Sequence, residues 1–325
     1  MRADRKKSSA GRRNRKRKRK KSGRIYLLLI MIAISIIIIQ KWQFPIGMAI
    51  SSSVANNNTP AKYTDHVNKP HEDIYKGDLI LVNGDHKYRR GIKGNDGEAL
   101  VSVGNYQTAD YKVAPKEIPV SEKIIKPFGR MLRDYREETG IADVSIISGY
   151  RSFEYQQKLL EDMIRQQGET QAKRAVAEPG ASEHHTGLTM DLGIITDSGV
   201  VKDFDFDGRQ TWLLENAHHY GFIIRFQTEK ENITGIKDEP WHFRYIGLPH
   251  SEIMYEKDMC LEEYMSFLKE YQYGEKHLEY DQENGKYEIY YVKADKKTTR
   301  IPVPKDKEYH ISGNNDDGFI VTVIN

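Results

Sequence analysis

From Ser121 to Thr139 the apolar residues Ile124, Ile125, Phe128, Met131, Leu132 and Tyr135 recur at intervals that place them on one broad face. That spacing predicts a helix, stopped by Gly140. A short apolar strand, Val144 to Ser148, comes next, then a helix from Phe153 to Gln167 with Ser152 placed to cap it and Gly168 to close it. Thr189 to Ile195 reads as a buried strand and Thr211 to Tyr220 as a helix, with two more strands after it. The order of helices and strands gives no clean parallel crossovers, which favours an α+β fold. Leu261, Tyr264, Phe267, Leu268 and Tyr271 again have helical spacing, so the lone Cys260 just before them is expected to pack rather than react. Tyr287 to Val292, Arg300 to Val303 and Phe319 to Ile324 alternate as strands do and predict a β-rich module over 273–325. A module of about fifty residues is small for a core of its own and should lean on the domain before it, taken as 76–272.

The N-terminal part is of a different kind. Residues 1–24 hold 14 Lys or Arg against one Asp, which leaves 36 basic against 46 acidic groups in the rest of the chain. Ile25 to Gln40 is uncharged and almost wholly aliphatic, enough for about 24 Å of helix against a hydrocarbon core of ~30 Å. Arg24 and Lys41 can snorkel and Trp42 suits the interface, so 25–42 is expected to be an uncleaved transmembrane signal anchor; the competing reading is a cleaved signal peptide, whose site would be Ser53-Val-Ala55, far beyond the apolar run. The basic block fixes 1–24 in the cytoplasm and sends the remainder outside the cell membrane, through a polar extracytoplasmic linker over 43–75. Its juxtamembrane position accounts for the block through anionic lipids, and no nucleic-acid partner is expected. With one cysteine no intramolecular disulfide can form, so stability must come from the core.

Eleven histidines make a pair near carboxylates unremarkable by itself. Asp191 is different because it lies in the middle of a buried apolar strand, where an unpaired charge costs several kcal/mol. A divalent cation would remove that penalty. His184 stands seven residues earlier, with Gly187 between to bend the chain back, and His242 follows about fifty residues later. Two imidazoles and one carboxylate are the donor set of a catalytic metal that keeps a position for water. Glu239, held extended by Pro240, supplies a spare carboxylate to take a proton from that water. Arg151, after the strand and turn Ile146 to Ser152, is a candidate to stabilise charge on a carbonyl oxygen. If the chain around His184 is extended, His185 should face away from the metal, and His218 and His219 carry no expected role. Asp203 to Gly208 imitates the start of a calcium loop, but Leu214 stands where the closing Glu belongs.

Three motifs, Ser-Gly-Tyr-Arg-Ser152, Ser182-x-His184-x-x-Gly187-x-Thr189-x-Asp191 and Glu239-Pro-Trp-His242-x-Arg244, resemble those of the M15 zinc peptidases (M15B subfamily), specifically the VanY-type D-alanyl-D-alanine carboxypeptidases of Gram-positive bacteria. The resemblance extends over about residues 76–325. It implies the α+β fold shared by D,D-peptidases of this type and hedgehog signalling domains, with a small, mainly antiparallel sheet. It implies one Zn2+ on His184, Asp191 and His242, Glu239 as catalytic base and Arg151 polarising the scissile carbonyl. Ser182, Gln156, Trp241 and Tyr150 would bind substrate, with the free carboxylate gripped near Gln156 and Ser182. Thr189 stands where many members carry Ala, a tolerable exchange in a strand. The implied activity is removal of the terminal D-Ala from peptidoglycan pentapeptide stems or their lipid-linked precursors, with a bearing on glycopeptide resistance.

Three other readings fit parts of the pattern. An L,D-carboxypeptidase on the same scaffold would trim tetrapeptide stems. An iron oxygenase would use the same ligand types but has no task for Glu239. A membrane-tethered wall-binding module would not need the full catalytic set.

Overall fold

The computed structural model describes residues 63–89, 99–113, 117–195, 201–203, 208–282 and 285–325. The basic tail, the anchor at 25–42 and the linker up to residue 62 lie outside them, as does most of the Asp203 to Gly208 turn. Among the described residues no helix is long and apolar enough to cross a membrane.

The strands in chain order are β1 (Asp65–Pro70), β2 (Leu100–Ser102), β3 (Lys112–Val113), β4 (Pro119–Ser121), β5 (Val144–Ser148), β6 (Thr189–Ile195), β7 (Val201–Asp203), β8 (Phe222–Phe226), β9 (Glu239–Tyr245), β10 (Leu278–Gln282), β11 (Gly285–Lys293), β12 (Thr298–Val303), β13 (Glu308–Gly313) and β14 (Gly318–Ile324). The central sheet has the order β3-β5-β6-β9-β8, with β7 also paired to β6. Only the β3–β5 pair is parallel. The mixed, mainly antiparallel α+β architecture is therefore the one expected.

Helix Ile125–Thr139 covers this sheet with the predicted face: Phe128, Met131, Leu132 and Tyr135 are fully buried against Val144, Ile146, Met190, Leu192, Phe222 and Phe243. Its first turn is tighter than expected, a 3-10 turn at Glu122–Ile124, and Ser121 makes no side-chain cap. Helix Phe153–Gln167 starts as predicted, with Ser152 Oγ accepting from the Tyr155 N–H. Thr211 to Tyr220 divides into a helix at Thr211–Asn216 and a 3-10 turn at Ala217–Tyr220.

The C-terminal sheet, β10-β11-β14-β13, is buried on both faces. Strand alternation sends Ile289, Tyr291 and Ile320 against helices His250–Glu256 and Leu261–Leu268, and against Leu79 and Leu81. Tyr290, Phe319, Val321 and Val323 go to the other side, onto Ile74, Ile301 and Val303. Asp65 to Tyr75, polar enough to read as the end of a linker, is instead a strand and a 3-10 turn, because β1 pairs along its whole length with β12. Its side chains are largely exposed and the backbone ladder provides the order.

Candidate metal centre

Antiparallel pairing of β6 and β9 sets Asp191 directly opposite His242. Cross-strand neighbours share a face, so the ladder alone brings these two side chains together. His184 reaches the same point from the 3-10 turn Glu183–Thr186, which Gly187 closes at φ +74°. One ligand atom from each of the three lies within 4.8 Å of the others, and all three residues are buried.

The second nitrogen of each ring decides which nitrogen faces inward. His184 Nδ1 donates to the Gly149 carbonyl at 2.6 Å, leaving Nε2 3.3 Å from Asp191 Oδ2. His242 turns the other way, with Nδ1 3.3 Å from Asp191 Oδ1 and Nε2 3.5 Å from Glu183 Oε2. The bond from His184 to a backbone carbonyl is of the kind that orients metal-ligating histidines, while His242 is faced by a carboxylate on its outer side. Glu239 Oε2 lies 3.4 Å from the inward nitrogen of His242. In a regular strand residues 239 and 242 would face opposite ways; the register shift between Ile224 and Phe226, where Phe226 pairs with Glu239, realigns them. A second irregularity, between Ile146 and Ser148, sits beside Gly149. A Cβ at Gly149 would lie 2.5 Å from the Pro119 carbonyl oxygen, so only glycine lets its carbonyl approach His184 in this way.

Charge in the site is arranged by burial. Desolvation, with the Arg151 charge, lowers His184 to about 4, so its imidazole is neutral. Burial would lower His242 as well, but Asp191 and Glu183 outweigh it and hold the free ring at about 9. Burial raises the Glu239 carboxyl, with His242 opposing. Asp191 Oδ1 is buried with no hydrogen-bond partner. Two inward imidazole nitrogens and an unsatisfied buried carboxylate oxygen fit a divalent cation, which would be held by His184, Asp191 and His242.

The other expected residues mostly gather in one cleft of about 570 Å3, lined by Arg151, Gln156, Ser182, Glu239 and Trp241 together with the three ligands. Arg151 donates through Nη2 to Asp191 at 2.5 Å and through Nε and Nη2 to Ser148 Oγ. Tyr150 is not among the cleft-lining residues; its backbone N–H is fixed on the Pro119 carbonyl at 2.7 Å. Gln156 spends Nε2 on the Ala177 carbonyl at 2.9 Å, and its Oε1 is buried without a partner. The unpartnered Oε1 gives Gln156 an acceptor for a peptide N–H, and the second N–H of its amide remains a donor. His185 does point away from the metal ligands, but because successive residues of a 3-10 turn fan out by a third of a turn, not because the segment is extended. Far from idle, its ring stacks on Phe153 at 4.2 Å and bonds Gly180 N and Arg151 O.

The residue that motif reading passed over is Glu183. It is 2% exposed and accepts from Arg225 Nε and Arg244 Nη1 through one oxygen, both at 2.8 Å, while the other faces His242. Arg225 in turn forks onto both oxygens of Glu262, at 2.7 and 3.0 Å. Two arginines inside the apolar strands β8 and β9 were the available signal, since a buried guanidinium demands a buried anion.

A buried His/Asp/His cluster with a further carboxylate beside it in a cleft is the arrangement of a metal-dependent hydrolase. Comparisons narrow the class. A family model described as VanY, D-alanyl-D-alanine carboxypeptidase, matches residues 117–248. A D-alanyl-D-alanine carboxypeptidase of Enterococcus faecium is 38% identical over 269 residues, 82% of each chain. The bifunctional D-Ala-D-Ala dipeptidase and carboxypeptidase VanXYC of Enterococcus gallinarum is 34% identical over 194 residues, 58% of this chain and 94% of its own. The crystal structure of the vancomycin resistance D,D-dipeptidase VanXYg with a D-Ala-D-Ala phosphinate analogue superposes with a TM-score of 0.70 at 33% identity, covering 80% of this chain and 99% of that one. The chain belongs to the VanY family of D-alanyl-D-alanine carboxypeptidases.

Proposed function

We propose that this protein is a zinc-dependent carboxypeptidase that releases the terminal D-Ala from peptidoglycan pentapeptide stems or their lipid-linked precursors. The observation that carries the reading is Glu239 standing beside the inward nitrogen of His242 in a cleft that also holds Arg151. Zinc suits the donor set of two imidazoles and one carboxylate; bound there, it would supply a Lewis acid and lower the pKa of a water toward ~7. Glu239, its affinity for protons raised by burial, takes the proton of the attacking water and passes it to the leaving amine of D-Ala. Arg151, held by Ser148 and Asp191 with Nη1 uninvolved in either bond, stabilises charge growing on the scissile carbonyl oxygen. The Ser182 hydroxyl serves the substrate carboxylate, Gln156 Oε1 accepts a peptide N–H, and Trp241 supplies an apolar wall.

The basic block and aliphatic run ahead of residue 43 support a single-pass anchor that places this chemistry outside the membrane, where stem peptides are found. Removing D-Ala there would also reduce the termini that glycopeptides bind. The test incubates purified protein with pentapeptide and tetrapeptide stems and identifies the products by mass, with chelator and then zinc added. D-Ala from the pentapeptide, lost on chelation and restored by zinc, is expected. Cleavage of the tetrapeptide alone would make it an L,D-carboxypeptidase, and chelator-resistant release would remove the metal from the argument.

A further inference from the structure

The C-terminal sheet has no residue in the metal centre, yet it holds one wall of the cleft. Val82, Asn83 and Gly84 line the cleft from a segment, residues 79–88, that has no helix or strand of its own. Its shape comes from outside. Leu79 N–H donates to Ser312 Oγ at 2.9 Å and Leu81 N–H to the Asn314 carbonyl at 3.2 Å. The Asn315 amide donates to the carbonyls of both Leu81 and His86, at 2.7 and 3.0 Å, so one side chain ties together the two legs of the loop. Asn315 is buried and sits at φ +59°, a conformation Asn tolerates better than other residues with a side chain. Inside the loop, Asn83 Oδ1 accepts from the backbone of Asp85 and His86. At the far leg, Tyr88 N–H donates to the Gly180 carbonyl at 2.7 Å, next to the 3-10 turn that bears His184.

The same loop is joined to the ligands. Asn83 Nδ2 donates to Glu262, which grips Arg225, which with Arg244 grips Glu183 beside His242. Arg244 also donates to the carbonyls of Asp78 and Ile80 at 2.9 and 3.0 Å. A hydrogen-bonded polar path thus runs from the cleft wall to Glu183, whose other oxygen lies 3.5 Å from Nε2 of the metal ligand His242.

We propose that Leu79–Tyr88 is a substrate-selecting wall that engages the part of a peptidoglycan stem remote from the scissile bond, and that Asn315 of the C-terminal sheet is the positioning residue that sets it. The inference rests on the carboxypeptidase reading above. A short acyl-D-Ala-D-Ala fills the end of the cleft at Glu239 and Trp241; a full stem extends past it to the loop. The C-terminal sheet therefore acts on substrate choice, without touching the chemistry.

Two variants test this. Asn315→Gly accepts the positive φ and removes both amide bonds. Gly84→Phe adds a side chain at an exposed position where nothing lies within 4 Å of the added Cβ and φ is not left-handed, so the backbone accepts it. Each is compared with wild type on a pentapeptide stem and on N-acetyl-D-Ala-D-Ala, with bound metal measured alongside. The ratio of kcat/KM for stem over short substrate is expected to fall about tenfold in both, through KM, with metal content kept. Hydrogen exchange across 79–88 should quicken in Asn315→Gly. An unchanged ratio in Gly84→Phe, or equal losses on both substrates, would overturn the proposal while leaving the activity intact. Failure of the wild type to release D-Ala from either substrate would instead remove the carboxypeptidase reading, and this inference with it.

Discussion

His242 has a carboxylate at each ring nitrogen, Asp191 toward the metal position and Glu183 away from it, and the two have separate consequences for mutation. Glu239→Gln keeps the shape of the side chain and removes the base, so D-Ala release should fall by ~10^2–10^4-fold with bound metal unchanged, as measured by turnover and metal analysis on one preparation. Glu183→Gln leaves Arg225 and Arg244 facing a neutral group in the interior. A loss of about 3–5 kcal/mol in denaturant unfolding is expected, together with ~10–100-fold weaker zinc retention in chelator competition. Unchanged stability would mean that the two arginines are satisfied without it. Residue chemistry in the sequence was enough to mark His184, Asp191 and His242, with Glu239 as a candidate beside them, because a carboxylate inside an apolar strand needs a partner. Glu183 was not marked, since nothing in a run of Glu-His-His says which side chain points inward until the turn is known to be 3-10.

At the scale of elements, regular strands would not assemble this site. The irregularity opposite Phe226 swings Glu239 to the face of His242, and the one beside Gly149 brings a backbone carbonyl to His184. Gly149→Ala forces a Cβ into the Pro119 carbonyl; the strand must shift, His184 loses its fixed tautomer, and zinc affinity should fall in chelator competition. Helix packing makes a different prediction. His250 bridges Tyr264 and Thr322 at 2.8 Å each, and burial, aided by His310, pushes it down to about 3. An unfolded His binds its proton near 6.5, so below that pH the unfolded chain takes up a proton the folded one refuses. Stability contributed by the neutral ring is whole above about pH 6.5 and declines toward pH 3, by about 2 kcal/mol from pH 7 to 5. Unfolding titrations of wild type and His250→Asn over that range should differ in slope by close to one proton; parallel curves would show that His250 is not the group responsible.

Across the whole molecule, the C-terminal sheet shares one core with helices His250–Glu256 and Leu261–Leu268 and with Leu79 and Leu81, and a second with β1 and β12. A chain ending at residue 272 would expose Leu261, Tyr264 and Leu268 and release the loop at 79–88, so it is expected to be insoluble or to lack a cooperative melt; a soluble, active truncation would show the sheet to be dispensable. Periodicity located Ile125–Thr139, Phe153–Gln167, β5 and β6, because a helix or strand that buries one face must write that face into its own residues. Ligand types and their order likewise lie in the chain, since chemistry belongs to side chains wherever they end up. Which nitrogen faces the metal, which carboxylate anchors two arginines, and how a tail of strands comes to shape a cleft depend on contacts between segments far apart in sequence. Such pairings leave no local period, and only the folded packing of β8, β9 and the C-terminal sheet decided them.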